Sequence, residues 1–81
     1  MRNRIHAIIR EELANPLKPL PEFTDDTELV EDLGAGPVDI VCIFIAIEEA
    51  FDIAIGDMDM ENTVTLGELC ALVERQLQEA A

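Results

Sequence analysis

A glycine- and proline-rich turn runs straight into an apolar helix-length segment, and this constrains the chain more than any other feature. Asp32-Leu33-Gly34-Ala35-Gly36-Pro37-Val38-Asp39 is followed by an unbroken apolar run from Ile40 to Ile47, then by Glu48-Glu49-Ala50-Phe51-Asp52. Pro37 suits a first helical position, where its missing N–H costs nothing and its φ is preset. Gly36 can serve as a modest N-cap. The helix predicted from about Pro37 to Phe51 carries Val38, Ile40, Val41, Ile43, Phe44, Ile45, Ile47 and Phe51. That set covers every direction around the axis. In a chain of 81 residues no helix can be surrounded on all sides, so an apolar patch is expected to reach the surface.

The remaining elements follow from periodicity. Ile5, Ile8, Ile9 and Leu13 form one stripe and predict an amphipathic helix over residues 2–14, ended by Asn15-Pro16. His6 lies beside that stripe and reads as a partly exposed surface residue, since the chain has no second histidine. Residues 15–36 form a long connection with Pro16, Pro19 and Pro21, and Leu17, Leu20, Phe23, Leu29 and Leu33 are expected to pin it across the helix ends. A short helical turn is expected to begin within Asp26–Leu29, capped by Asp or Thr. Residues 57–62 predict a short third helix or a turn. Thr65 with Glu68 makes a capping box for a last helix, whose buried face is Leu66, Leu69, Cys70, Val73 and Leu77. The sum is a single all-α domain over residues 1–81, three main helices and one short one, with a long loop between the first two.

Composition narrows the partners. Eighteen acidic residues against five basic give a formal charge of −13, the wrong sign for nucleic acid or an anionic membrane. A basic protein surface is the natural complement. The longest apolar run, eight residues, is far short of the ~20 needed to span a bilayer. Cys42 and Cys70 lack CxxC spacing and no signal-peptide pattern is present, so a reduced, cytoplasmic chain is expected. Asp57, Asp59 and Glu61 alternate as in a calcium loop but lack its glycine and its terminal glutamate, so no metal site is expected. No nucleophile–base set or phosphate-binding loop is present, and no catalytic residue is assigned.

The stretch Asp26-Thr27-Glu28-Leu29-Val30-Glu31-Asp32-Leu33-Gly34-Ala35, the close of the apolar helix at Ile47-Glu48-Glu49-Ala50-Phe51-Asp52, and Thr63-Val64-Thr65-Leu66-Gly67-Glu68-Leu69 together resemble the acyl carrier protein family. The likeness runs over essentially the whole chain. It implies a four-helix bundle with a short third helix. It also implies an Asp-Ser-Leu-Asp motif after Leu-Gly-Ala, whose serine carries 4′-phosphopantetheine through a phosphodiester. Here those positions read Gly36-Pro37-Val38-Asp39. Pro37 stands at the serine position, and the chain contains no serine. Thr24, Thr27, Thr63 and Thr65 lie outside this segment, and Cys42 would not give a phosphodiester. No phosphopantetheine cofactor is therefore expected.

What the resemblance leaves is a module that binds rather than carries. The partner-facing surface would comprise Pro37, Val38, Asp39, Ile40, Cys42, Glu48 and Glu49, with Ile40 and Cys42 replacing polar residues usual in the family. Its partner would be the basic surface of an enzyme of fatty-acid, polyketide or related thioester metabolism, or a second copy of the chain. Two alternatives remain open at this point: the long loop folds over the patch, or the bundle holds an acyl chain by non-covalent binding or unconventional attachment.

Overall fold

The computed structural model describes residues 1–17 and 19–80; Lys18, inside the long connection, and Ala81 lie outside the described residues. Four helices follow one another: α1 (Arg2–Glu12), α2 (Pro37–Phe51), α3 (Asp57–Asn62) and α4 (Leu66–Ala80). The all-α bundle expected from the periodicity is what forms. Helix α1 stops at Glu12, two residues short of the expected end, with Leu13 as its cap. The approach to Asn15-Pro16 ends it early, since the backbone before a proline leaves the helical region.

One apolar core holds the helices together. Ile5 and Ile9 enter it from α1, Ile43, Phe44 and Ile47 from α2, and Leu66, Leu69, Cys70, Leu72 and Val73 from α4; the loop adds Leu29 and Leu33. Each such side chain contributes about 1.5–3 kcal/mol when fully buried. Helix α3 supplies no buried residue and rests on half-buried Met60, with Ile53 and buried Ile55 just ahead of it. Leu77 is half-buried at the far end of the α4 face, and Leu72 joins that face although its position was not in the expected stripe.

The long connection is tied down by backbone hydrogen bonds to the start of α4. The Leu29 N–H donates to the Val64 carbonyl (3.0 Å), Leu66 to Thr27 (2.9 Å) and Gly67 to Asp25 (2.9 Å). This is an isolated antiparallel bridge between Glu28 and Thr65 rather than a sheet. Beyond it, Asp32 and Gly34 donate to the Glu28 and Val30 carbonyls, making a single helical turn. It starts at Glu28, within the stretch expected to begin it, and the Glu28 N–H donates to the Asp32 carboxylate (2.8 Å). Gly34 ends it at φ 68°, a conformation that glycine adopts without strain. Leu17, expected to pin the loop, is 92% exposed and does not; the anchors are Leu20, Phe23, Leu29 and Leu33.

Helix α4 begins with the expected capping box. The Glu68 N–H donates to Thr65 Oγ1 (3.2 Å), and the Thr65 N–H donates back to Glu68 Oε1 (3.0 Å). The backbone N–H groups of Thr65 and Val64 hold the Glu68 carboxyl below the ordinary glutamate range. Because its folded-state pKa is depressed, the cap is at full strength above the ordinary carboxylate pKa and is lost as pH falls through the lowered value. Thr65→Ala should lower stability by about 0.5–2 kcal/mol in urea unfolding at neutral pH. Only the share of that loss owed to the Thr65 Oγ1–Glu68 Oε1 hydrogen bond (3.2 Å) should disappear in acid, as Glu68 is protonated.

Candidate functional site

The mouth of α2 is built as its residues dictate. Gly36 is the N-cap in an extended conformation and Pro37 the first helical residue. Glycine has no side chain to cap the helix, so the box is half formed: Asp39 Oδ2 accepts the Gly36 N–H at 3.0 Å. Asp39 also places a carboxylate in the first turn, where the helix dipole favours negative charge. It is half-buried.

Along α2 the apolar residues separate into two faces. Ile43, Phe44 and Ile47 are fully buried, whereas Val38 is 75% exposed, Val41 45% and Ile45 47%. Val38, Val41 and Ile45 fall at i, i+3 and i+7, so they share a face, and the exposed, free thiol of Cys42 lies next to them. A surface patch is present, but its composition needs correction. Ile40 is half-buried and packed against the core, so it does not belong to the outward stripe. Two positions from Val38 on a helix is 200° of rotation, which turns Ile40 inward. Val41 and Ile45 take its place.

The carboxylates of the expected surface also divide. Glu48 is half-buried, and its Oε2 accepts the Ile55 N–H at 3.0 Å. Its carbonyl accepts from Ile53 (3.1 Å) and from Asp52, which closes the helix at φ 53°. Glu49 is exposed and makes no hydrogen bond among the described residues. Asp39 and Glu48 are thus structural caps with spare oxygens, and Glu49 is a surface charge. Sequence reasoning missed Val41 and Ile45 as surface residues; the signal was their spacing from Val38.

Every hydroxyl in the chain belongs to one of four threonines, and none is on α2. Thr27 is buried, and its Oγ1 lies 3.1 Å from Thr24 Oγ1 and accepts the Thr24 N–H at 2.8 Å. Thr63 Oγ1 donates to the Asp59 carbonyl (2.7 Å), and Thr65 is engaged with Glu68. No cluster of metal-ligating side chains occurs among the described residues.

A surface hollow of about 320 Å³ adjoins the mouth, walled by Leu13, Pro19, Leu20, Pro21, Leu33 and Asp39, with Glu12 and Asp32 at its edge. It lies beside the patch without covering Val38. Since Val38, Val41 and Ile45 stay exposed, the described residues of the loop do not fold over the outward stripe.

The architecture is a helical bundle with a long first loop and a short third helix. Residues 3–73 match the family described as phosphopantetheine attachment site. The acyl carrier protein of Sulfurovum sp. is 37% identical over 67 residues, 82% of this chain and 89% of that protein. That of Helicobacter pylori is 36% identical over 70 residues, 86% of each. A Mycobacterium tuberculosis structure described as an acyl carrier protein superposes with a TM-score of 0.82 at 28% identity, covering 91% of this chain and 95% of that one. The acetyl actinorhodin acyl carrier protein of Streptomyces coelicolor gives 0.79 at 21% identity, covering 100% and 94%, a likeness of fold. The chain belongs to the acyl carrier protein family, whose members are carriers rather than enzymes.

Val38 and Ile40, two residues apart, should differ in their tolerance of the same charge. Val38→Asp, on the exposed side of the first turn, should change unfolding free energy by less than about 0.5 kcal/mol. Ile40→Asp should cost roughly 1–3 kcal/mol, because it takes a carboxylate into packed apolar surroundings. Paired thermal or urea melts separate the two.

Proposed function

We propose that this chain is a carrier-type module that does not take up 4′-phosphopantetheine and works by docking a partner on the outward face of α2. One observation carries the reading: the mouth of α2 offers no hydroxyl. Pro37 occupies the first helical position, the chain has no serine, and its four threonines lie elsewhere. The residues present do not fit a phosphodiester-linked prosthetic group. The scaffold that would present one is intact, from the Gly34 turn through the Asp39 cap to the Glu48 closure.

The docking face is the stripe of Val38, Val41 and Ile45 with Cys42, bordered by Pro37, Asp39, Glu48 and Glu49. Ile40 supports it from beneath. An apolar centre with acidic edges calls for a partner with an apolar centre and basic edges. A second copy is disfavoured by its own charge of −13 and by the absence of a basic residue from α2. Membership of the family supports the reading that this partner is an enzyme of fatty-acid, polyketide or related thioester metabolism. A reduced, cytoplasmic setting goes with this reading, since Cys42 and Cys70 are both free.

Two measurements test it. Coexpression with a broad-specificity phosphopantetheinyl transferase should leave the intact mass unchanged; a gain of one phosphopantetheine would overturn the proposal. Crosslinking to acyl-carrier-dependent enzymes of basic docking surface should be lost in the Val38→Asp/Val41→Asp variant while the bundle stays folded. Equal crosslinking of variant and parent would show that the docking face lies elsewhere.

A further inference from the structure

His6 is the one titratable side chain near neutrality whose surroundings make its charge matter. Its Nε2 is shut off from solvent with no hydrogen-bond partner among the described residues. Its ring meets Phe23 edge-on, with centroids 5.5 Å apart at 83°. The Arg10 guanidinium lies over the same Phe23 ring, 4.0 Å from its centroid. Phe23 belongs to the long loop, and two residues on, Asp25 pairs with Arg2. The loop is therefore fastened to α1 by an aromatic ring between a histidine and an arginine, plus one exposed ion pair.

We propose that His6 is a proton-sensitive latch for this loop. Protonation places a positive charge, and at the buried Nε2 an N–H without a partner, in the contact with Phe23, and the segment around Phe23 lets go of α1 while the core stays packed. A neutral imidazole tolerates the site, because a lone pair without a partner is less costly to bury than an N–H⁺. The charges facing His6 are Arg10 and Arg2 on α1, which oppose protonation, and Asp25 on the loop, which favours it. On α4, Cys70 shares the fields of Arg2 and Asp25; burial pushes its thiol up, so it stays uncharged here.

Burial first, then Arg10 and Arg2, hold the His6 pKa below the ordinary imidazole value. The released loop has the ordinary value, so it binds more protons between the two. The latched state is then fully favoured above about pH 6.5 and loses ground as pH falls toward the lowered value. Each pKa unit between the two states raises the open fraction by up to about tenfold across that window. Pro19, Leu20 and Pro21, just ahead of Phe23, wall the hollow beside Asp39, so opening would reshape the approach to α2. The latch rests on α1 and the loop alone and does not depend on how α2 is used.

Amide hydrogen exchange, corrected for its intrinsic pH dependence, reads the latch alongside the His6 NMR titration. Protection of the Thr24 and Thr27 amides, the hydrogen-bonded ones next to Phe23 among the described residues, should fall in step with His6 protonation while that of Ile43–Ile47 holds. In His6→Leu, which keeps an apolar contact with Phe23 and cannot titrate, the loop should stay protected throughout. If that variant does not fold, His6→Phe, which keeps a ring against Phe23 and cannot titrate either, should hold the loop protected in the same way. Loop protection that ignores the His6 titration, falls equally in His6→Leu, or falls together with the core would overturn the proposal.

Discussion

Three backbone hydrogen bonds hold the arrangement that the rest of the molecule uses: Leu29 to Val64, Leu66 to Thr27 and Gly67 to Asp25. They fasten the middle of the long loop to the first turn of α4. Without them, the loop's closure entropy would have to be met by side-chain contacts alone. With them, Leu29 and Leu33 drop into the core at fixed points, and the chain leaves Gly34 aimed at the start of α2. They also supply acceptors for N–H groups at the α4 start, which the helix itself cannot pair. The Thr65–Glu68 cap completes that junction. Gly67 fits there because a Cβ would come within 3.0 Å of the Asp25 carbonyl oxygen.

Helix α2 then divides a uniformly apolar sequence by geometry alone. The junction and α1 cover one side of it, so Ile43, Phe44 and Ile47 lose their water, whereas Val38, Val41 and Ile45 keep theirs. Exposed single hydrophobes are ordinary, but three at helical spacing on one face form a stripe. In a bundle this small, leaving three β-branched residues outward forgoes burial worth a few kcal/mol. Fold stability gives no reason for them, and polar residues would serve the solvent side better.

Much of this was legible beforehand, and the reasons differ by element. The Pro37 start, the Phe51 end and the Thr65–Glu68 cap were readable because they depend on residues within a few positions of one another. The surplus of apolar residues in α2 announced an outward patch. Its membership was not legible from hydrophobicity: Ile40 and Val41 look alike in sequence, and only the direction from which α1 and the loop approach distinguishes them. Asp39 and Glu48 read as surface charges for the same reason. Their hydrogen bonds to Gly36 and Ile55 depend on how the chain enters and leaves the helix. Leu17 shows the limit in the other direction, an apolar residue in a loop whose anchoring is done by others.

The closing end of α2 bears on what the outward face is for. Glu48, Glu49 and Asp52 gather where the helix dipole is negative, and no basic residue sits in the last turn. Each such charge opposes the dipole by typically 0.3–1 kcal/mol at an exposed site. Glu48 recovers part of this through the Ile55 N–H, and Arg4, stacked over Phe51 at 5.0 Å, brings one cation close. Glu49 and Asp52 have no such relief. A basic partner would neutralise them and the dipole together, so charge at this end favours docking before any apolar atom is covered. The stripe from Val38 to Ile45 would then hold the partner once charge has brought it in, because apolar burial is short-ranged and insensitive to screening. Steering at one end and adhesion along the face need no chemical group at the mouth of the helix, which is consistent with a module that has Pro37 there.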